Sequence, residues 1–364
     1  MDFKLGIENL LVHLPNKPIA LLTNASGVTQ ELVQNIDIMV KKGANIMKIF
    51  APEHGIYAAL KNGEIVHDET YAGIPVRSIY TEKSHLIDPV ELEDVETVIY
   101  DIQDGGARPY TYVSSLKHLL TAAARAGVQV IVCDRPAPLS GSVVDGPMMK
   151  PGFRSFVGID DFPLRYGMTI GEMAQYLNRD VNASLKISTM SGYKRSYYYD
   201  TYVKHFVPPS LNLPTLNALF VFVGMVLVES SKASLGRGTP YPFSQFGYSG
   251  AWSLDLKQES GALFRKIKFI PGLDPLSGQT LEGFFIHIED RRIFRSITLA
   301  IRVLKHLFSI DPGNIDFKHL SILYGSDELK KFLEEDLSVN EIVETWKDTS
   351  SDFIEARSTF LLYD

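Results

Sequence analysis

Five short apolar runs alternate with helical stretches across the first half of this 364-residue chain. The runs are rich in Val, Ile and Leu and occupy residues 18–23, 44–50, 97–101, 128–133 and 185–190. Each is continuous rather than alternating, which is typical of strands buried on both faces. Apolar residues spaced by three and four predict helices at residues 30–42, 114–126 and 169–179. The alternation predicts an α/β fold with a Rossmann-like, doubly wound and mostly parallel sheet.

The predicted helix ends carry matching signals. Gly43 and Gly127 follow the first two helices, where a left-handed residue is favoured. Thr169 precedes Glu172 by three residues at the start of the third, which is a capping-box signature.

The second half of the chain has a different pattern. Residues 193–214 are rich in proline and aromatic residues, so we predict a division into residues 1–205 and a smaller α/β domain of residues 206–364. In the second part, residues 284–288 predict a strand, and residues 295–308, 326–335, 339–346 and 351–359 predict helices. The most apolar run, residues 218–228, is far shorter than the roughly twenty residues of a membrane span and predicts a buried helix or strand.

Composition excludes several classes of function. The net charge is −7 with Lys and Arg scattered along the chain, so we expect no nucleic-acid partner. The single Cys133 cannot form an internal disulfide, and no metal or cofactor motif is present, so we expect neither metal nor cofactor. The first residues lack a basic segment followed by an apolar one, which predicts a cytoplasmic protein without membrane attachment, unless a signal has been removed. The oligomeric state is open.

Ligands of doubly wound sheets bind beyond the carboxyl ends of the strands. Thr23 and Asn24 follow the first predicted strand in a turn that could bind a polar ligand or be an ordinary turn. Glu53 and His54 follow the second, between a proline and a glycine. Burial at a strand end favours the protonated carboxyl that a general acid needs. The alternatives are a salt-bridged Glu53 and a structural His54.

The densest polar segment, residues 101–112, follows the third predicted strand. Asp101 and Asp104 could supply a second carboxylate or bind sugar hydroxyls, and Arg108 could bind a ligand carboxylate with two hydrogen bonds. Alternatively, Asp101 and Arg108 pair with each other to hold the loop. Tyr110 and Tyr112 could form the walls of a pocket.

Charged residues recur at two further places. Asp134 and Arg135 follow the fourth predicted strand, in a turn stiffened by prolines. Arg237 lies between two glycines, where the backbone can approach a ligand closely. Glu229, eight residues earlier, is another candidate acid. No serine-hydrolase elbow, P-loop or zinc-protease motif is present.

The ordered motifs resemble the family of exo-acting β-N-acetylmuramidases. They include Phe-Ala-Pro-Glu-His-Gly at residues 50–55, Asp-Ile-Gln-Asp at 101–104, Tyr-Thr-Tyr at 110–112, Gly-Met-Thr-Ile-Gly-Glu at 167–172 and Gly-Arg-Gly-Thr at 236–239. Further matches are residues 21–24, 106–108, 134–136, 155–158, 208–210 and 356–363. The chain departs from the family pattern at Tyr57, Ala58, Ala137, Tyr166 and Leu235.

The resemblance implies a glycoside hydrolase that releases a terminal β-linked N-acetylmuramic acid, or a related N-acetyl sugar, from the non-reducing end of cell-wall fragments. Glu53 corresponds to the proposed catalytic glutamate. The second group is Asp101, Asp104, Glu229 or the acetamide oxygen of the substrate itself. Arg108, Arg135 or Arg237 would recognise the lactyl carboxylate.

The resulting candidates form two groups. The candidate catalytic residues are Glu53, His54, Asp101 and Asp104, and the candidate substrate-binding residues are Thr23, Asn24, Arg108, Tyr110, Tyr112, Asp134, Arg135, Glu229 and Arg237. One alternative is a sugar-binding protein without turnover. The other is a metal-dependent hydrolase with Glu53, His54, His67, Asp68 and Asp104 as ligands, which chelators would inhibit.

Overall fold

The computed structural model describes residues 3–82, 85–250, 254–256, 260–273 and 276–364. The strands in these ranges are β1 (Ile19–Thr23), β2 (Ile46–Ala51), β3 (Glu69–Tyr71), β4 (Ile74–Ser78), β5 (Thr97–Asp101), β6 (Gln129–Cys133), β7 (Asp145–Met148), β8 (Pro163–Arg165), β9 (Leu185–Ser188), β10 (Gln245–Tyr248), β11 (Ala262–Phe269) and β12 (Leu281–Ile288). The helices are α1 (Gly6–Leu10), α2 (Asn35–Lys41), α3 (Tyr112–Ala126), α4 (Ile170–Asn178), α5 (Tyr199–Tyr202), α6 (Leu216–Met225), α7 (Ser296–Ile310), α8 (Phe317–Tyr324), α9 (Glu328–Glu334), α10 (Val339–Glu344) and α11 (Lys347–Arg357).

The central sheet has seven strands in the order β3-β4-β2-β1-β5-β6-β9. Every neighbouring pair is parallel except β3 and β4. The chain runs from β1 outward to β2 and β4, then returns to β5 on the other side of β1. This reversal is a topological switch point, where ligands of such sheets bind. The predicted mostly parallel sheet is confirmed, and strands β1 and β5 are buried throughout as predicted. Burial on both faces is wrong for β9, an edge strand that is only partly buried, and for the first half of β2.

The helix-end signals have mixed outcomes. Thr169 and Glu172 form the predicted capping box, and the left-handed residues at Gly43 and Gly127 are confirmed. The predicted start of the first helix is wrong, since α2 begins at Asn35. The preceding residues form turns instead, tied together by the hydrogen bond from the amide of Asn35 to the carbonyl of Gly27 (2.8 Å).

The second half combines a small sheet with helices. Strands β10, β12 and β11 form a three-stranded antiparallel sheet, of which the sequence predicted only residues 284–288. The apolar run becomes helix α6, whose N-cap Thr215 accepts a hydrogen bond from the amide of Ala218. Helices α7, α9, α10 and α11 were predicted, whereas α8 was not. A second, smaller α/β domain is confirmed in outline, and its boundary at residue 205 stays a prediction. No helix in the described ranges is both long and apolar enough to span a membrane.

Candidate active site

A cavity of about 290 Å³ lies where the loops after β2 and β5 meet residues of the second half. The polar side chains that line it are Glu53, His54, Asn62, Tyr80, Tyr110, Thr111, Ser210, Asn212, Glu229, Arg237 and His319. The cavity therefore combines two carboxylates, one guanidinium and several hydroxyl and amide groups.

Glu53 is held firmly at one wall of this cavity. Its Oε2 accepts a hydrogen bond from the hydroxyl of Thr111 (2.7 Å), and its Oε1 accepts one from the amide of Gly63 (3.0 Å). The side chain is only 7% exposed. The loop that carries it is sharply bent, because His54 has a φ of +73°, a value that side-chain-bearing residues adopt mainly at functional or strained positions.

Two neighbours define the surroundings of this carboxyl. Burial raises the pKa of Tyr80 to about 12, and the negative charge of Glu53 contributes to the increase. The Nδ1 atom of His54 lies 2.8 Å from the carbonyl oxygen of Leu60. Because a carbonyl only accepts hydrogen bonds, a neutral His54 ring carries its proton on Nδ1 and offers Nε2 as an acceptor.

Glu229 and Arg237 form an ion pair on the cavity wall. The Oε1 atom of Glu229 accepts hydrogen bonds from Nε of Arg237 (2.8 Å) and from its terminal nitrogen. The guanidinium also contacts the Asn62 side chain (3.3 Å) and lies 5.0 Å from the centre of the Phe243 ring. Its loop requires glycine at position 238, where φ is +75° and an added Cβ would come within 2.7 Å of other backbone atoms.

Asp101 does not line the cavity and is instead fully buried in a polar network. It accepts two hydrogen bonds from Arg135 (2.6 and 2.9 Å) and one from the Asn35 side chain (2.8 Å). The alternative of a pair between Asp101 and Arg108 is therefore wrong. Asp101 and Arg135 hold the ends of two strands together, and the guanidinium is committed to this contact.

Arg108 is also buried away from the cavity. It donates to four backbone carbonyls, those of Pro147 (2.8 Å), Phe162 (2.7 Å), Leu323 (3.1 Å) and Tyr324 (2.7 Å). Burial lowers the pKa of Arg108 to about 9. The last two carbonyls belong to the C-terminal turn of α8, so Arg108 ties the loop after β5 to the second half of the molecule.

Asp104 is buried and does not line the cavity. Its Oδ2 accepts hydrogen bonds from the hydroxyl of Tyr166 and from the amide of Gly106 (2.7 Å). Burial raises the pKa of Asp104 to about 6. Tyr166 is one of the residues at which the chain departs from the family pattern, and its hydroxyl donates this hydrogen bond to Asp104.

The remaining predicted binding residues support the walls. Thr23 donates to the carbonyl of Asp101 (2.8 Å), and Asn24 donates to the hydroxyl of Tyr112 (2.8 Å). Tyr112 packs edge-on behind Tyr110, with the ring centres 4.9 Å apart, and only Tyr110 reaches the cavity.

Asp134 follows β6 directly and is fully buried. It accepts hydrogen bonds from the hydroxyls of Thr169 (2.8 Å) and Tyr363 (2.6 Å) and from the amide of Gly171 (2.7 Å). Burial raises the pKa of Asp134 to about 7. These contacts anchor the last residues of the chain to α4, and Asp134 does not line the cavity.

Several lining residues were not singled out from the sequence. Thr111 lies inside the Tyr-Thr-Tyr motif at residues 110–112, so the motif itself was a signal for it. Asn62, Asn212 and His319 carried none, because each is isolated in sequence and reaches the cavity only through the fold.

A second cavity of about 210 Å³ shares Asn62, Glu229, Arg237 and His319 with the first. Leu235, which stands where the family pattern has a glutamate, lines this second cavity. Leucine in place of glutamate at position 235 therefore removes a charge directly beside the Glu229–Arg237 pair.

The proposed metal ligands are not gathered together. Within the described part of the chain, no three His, Cys, Asp or Glu side chains are close enough to hold a metal ion. Asp68 instead pairs with Arg77 (2.7 Å) on the surface. The residues present do not fit a metal centre.

A pocket with two carboxylates and a cation, at the switch point of a doubly wound sheet, is typical of an enzyme that acts on a small polar substrate. The N-terminal profile of the exo-β-N-acetylmuramidase NamZ family matches residues 19–217, and its C-terminal profile matches residues 220–363. The chain belongs to this family.

Individual relatives agree with this assignment. The chain is 32% identical to the peptidoglycan β-N-acetylmuramidase NamZ of Bacillus subtilis (strain 168), over 98% of this chain and 91% of that protein. Two crystal structures of DUF1343 family proteins from Bacteroides fragilis are similar over 100% of this chain and 99% of theirs. Their TM-scores are 0.89 and 0.83 at 27% and 26% identity.

Proposed function

We propose that the protein is a glycoside hydrolase that removes a terminal β-linked N-acetylmuramic acid, or a related N-acetyl sugar, from the non-reducing end of peptidoglycan fragments. The observation that carries the proposal is the position of Glu53, a buried carboxyl at the wall of the cavity. Membership of the NamZ family and the activity named for the Bacillus subtilis relative support the substrate class.

Glu53 is the general acid in this proposal. Hydrolysis of a glycosidic bond needs a carboxylic acid that protonates the leaving oxygen as the bond to the sugar breaks. The hydrogen bonds from Thr111 and Gly63 fix the orientation of the carboxyl before the substrate binds, which lowers the cost of reaching the reactive geometry.

The second group is either Glu229 or the acetamide of the substrate. Asp101 and Asp104 are the weaker candidates, because neither lines the cavity and both are engaged in buried hydrogen bonds. Glu229 lines the same cavity as Glu53 and could act on a water molecule or on the sugar.

Arg237 is the proposed recognition group for the lactyl carboxylate of N-acetylmuramic acid. It is the guanidinium that lines the cavity, whereas Arg108 and Arg135 are committed to buried contacts elsewhere. A planar guanidinium binds a carboxylate through two parallel hydrogen bonds, and the pairing of Arg237 with Glu229 keeps the guanidinium ordered.

The test uses wild type and Glu53→Gln with chromogenic β-glycosides of N-acetylmuramic acid, N-acetylglucosamine and glucose. We expect wild type, but not Glu53→Gln, to release the chromophore from the N-acetylmuramic acid derivative. Release by both proteins would exclude Glu53 as the acid. Binding of the sugar without release by wild type would instead indicate a binding protein, and inhibition by chelators would revive the metal-dependent alternative. A cytoplasmic location stays a prediction that cell fractionation can test.

A further inference from the structure

A turn at residues 61–64 joins the candidate acid to the ion pair on the cavity wall. The amide of Gly63 donates a hydrogen bond to Oε1 of Glu53 (3.0 Å). The side-chain oxygen of Asn62 accepts one from the guanidinium of Arg237 (3.3 Å). Because Asn62 and Gly63 are adjacent, these two contacts place the Glu53 carboxyl and the Arg237 guanidinium within about 12 Å of each other.

The turn is held in place by its own hydrogen bonds. The amide of Glu64 donates to the carbonyl of Lys61 (3.2 Å), and the amide of Lys61 donates to the carboxylate of Glu64 (3.0 Å). Between them, Gly63 has a φ of +73°, which glycine adopts readily. Just before the turn, the amide of Leu60 donates to the carbonyl of His54 (3.2 Å), and the His54 ring contacts the carbonyl of Leu60 (2.8 Å). The turn is therefore fixed through the backbone.

The contact with Arg237 also fixes the orientation of the Asn62 side chain. A guanidinium only donates hydrogen bonds, so the atom of the amide that faces it is the oxygen, and Nδ2 lies on the other branch. Within the described part of the chain, no acceptor is paired with Nδ2. Asn62 is exposed and lines both the active-site cavity and the second cavity. Its Nδ2 is thus a donor available to a ligand between Glu53 and Arg237.

The sugar of the proposed function carries three groups in the same order. In a β-linked N-acetylmuramic acid, the anomeric carbon bears the glycosidic oxygen, the next ring carbon bears the acetamide, and the carbon after it bears the lactyl ether. From the glycosidic oxygen to the lactyl carboxylate, with a hydrogen bond at each end, the span is on the order of 10 Å. The separation of Glu53 and Arg237 accommodates this span. A sugar held at both ends therefore presents its acetamide to the residue between them, Asn62.

We propose that Asn62 recognises the acetamide of the terminal sugar by donating a hydrogen bond from Nδ2 to the acetamide carbonyl oxygen. The inference rests on the proposed function and adds to it the residue that selects an N-acetyl sugar. A sugar with a hydroxyl in place of the acetamide is too short at this position to accept the hydrogen bond. Asn62 is a specificity residue in this account, and Glu53 keeps its role as the acid.

The experiment compares kcat/KM for two chromogenic β-glycosides that differ at one ring carbon. One is the N-acetylmuramic acid derivative, and the other is the lactyl ether of glucose, which has a hydroxyl in place of the acetamide. We expect wild type to prefer the first. In Asn62→Ala this preference should fall about three- to tenfold, the effect of losing one hydrogen bond between neutral groups. Asn62→Asp, which is similar in size but replaces the donor with an acceptor, should lower the preference at least as far.

Two further variants separate direct recognition from an effect on Arg237. Lys61→Ala alters an exposed side chain of the same turn that lines neither cavity, and it should leave both values unchanged. Arg237→Gln should lower both values and leave their ratio unchanged, because both glycosides carry the lactyl group. An unchanged ratio in Asn62→Ala, even with both values lowered, would overturn the proposal, since Asn62 would then only hold Arg237 in place.

Hydrolysis of neither glycoside by wild type would be the failure of the proposed function, and the inference would then be decided by binding. Calorimetric titration of free N-acetylmuramic acid and of the free lactyl ether of glucose into wild type and Asn62→Ala measures it. Tighter binding of the N-acetyl sugar by wild type that is lost in the variant supports recognition by Asn62. The same preference in both proteins, or binding of neither sugar by wild type, contradicts it.

Discussion

Three buried carboxyl groups near the candidate site have different surroundings, and those surroundings separate their roles. Asp101 is matched by the guanidinium of Arg135, so its charge is neutralised within the protein. Asp104 receives hydrogen bonds from a hydroxyl and an amide, and burial raises its pKa to about 6. Of the three, only Glu53 faces the cavity.

Asp104→Asn should change how stability depends on pH. Because burial raises the folded-state pKa of Asp104 to about 6, its contribution is full below about pH 4 and is lost as the pH rises to about 6. The difference in free energy of unfolding between wild type and variant should therefore shift by about 2 kcal/mol in favour of the variant between pH 4 and pH 7. Urea unfolding at both values measures it. A difference that does not vary with pH would mean that Asp104 does not titrate in this range.

Arg237→Gln should change substrate preference. We expect kcat/KM for the N-acetylmuramic acid derivative to fall by about 10- to 100-fold, as for loss of a hydrogen bond between charged groups. The value for the N-acetylglucosamine derivative, which lacks the lactyl carboxylate, should change much less. Equal losses for the two sugars would show that Arg237 does not read the carboxylate. Arg237→Lys, which keeps the charge without the paired donors, should be intermediate.

At the scale of the elements, the loop after β5 is held from both sides. Arg108, within this loop, donates to the last carbonyls of α8, while Thr111, three residues later, donates to Glu53. The contact with α8 satisfies carbonyls that the helix itself leaves unpaired. The stability of the loop and the orientation of the Glu53 carboxyl therefore depend on the same short segment.

Arg108→Met should destabilise the protein. The substitution preserves much of the apolar volume but removes the donor of four buried carbonyl groups, of which that of Phe162 keeps a hydrogen bond from the amide of Met149 (3.3 Å). Each carbonyl left unsatisfied costs about 1–3 kcal/mol if no water replaces the guanidinium. We expect the free energy of unfolding to fall by at least about 3 kcal/mol, measured by urea denaturation. The control is Lys318→Met, which changes an exposed residue on α8, the helix that Arg108 contacts, and should have little effect. Equal stability of the two variants would contradict the role of Arg108 as a clamp.

The sequence predicted the elements whose local pattern is strong. Continuous apolar runs predicted five strands of the parallel sheet, β1, β2, β5, β6 and β9, and Thr169 with Glu172 predicted the start of α4. Strand β11 was missed because both of its faces mix apolar and charged residues: Arg265 shares a face with Leu263 and Ile267, and Lys266 and Lys268 share the other with Phe264, so apolar and polar residues do not alternate regularly. The short pair β3 and β4 is largely exposed and has no apolar run to reveal it.

The candidate site was predicted only in part, for a different reason. The expectation that ligands bind beyond the carboxyl ends of the strands correctly selected Glu53 and His54 as lining residues. It could not distinguish them from Asp101 or Asp134, which do not line the cavity. That distinction depends on partners far along the chain, such as Arg135 for Asp101 and Tyr363 for Asp134. Pairing at such separations follows from the fold and has no local pattern.

At the scale of the whole molecule, the cavity exists only because the two halves meet. Glu53 and Thr111 come from loops of the large sheet, whereas Glu229 and Arg237 come from the segment after α6. The proposed acid, Glu53, and the proposed carboxylate-recognition group, Arg237, thus belong to different halves. Any change that separates the halves should affect binding and chemistry together.

The most direct test of the central claim is the dependence of the Glu53→Gln effect on the leaving group. A general acid contributes about 10²- to 10⁴-fold to a poor leaving group and much less to one that departs without a proton. We predict a loss of kcat in this range for a disaccharide of N-acetylmuramic acid linked to N-acetylglucosamine and a clearly smaller loss for a dinitrophenyl glycoside of N-acetylmuramic acid. Equal losses for the two substrates would contradict the assignment of Glu53 as the proton donor.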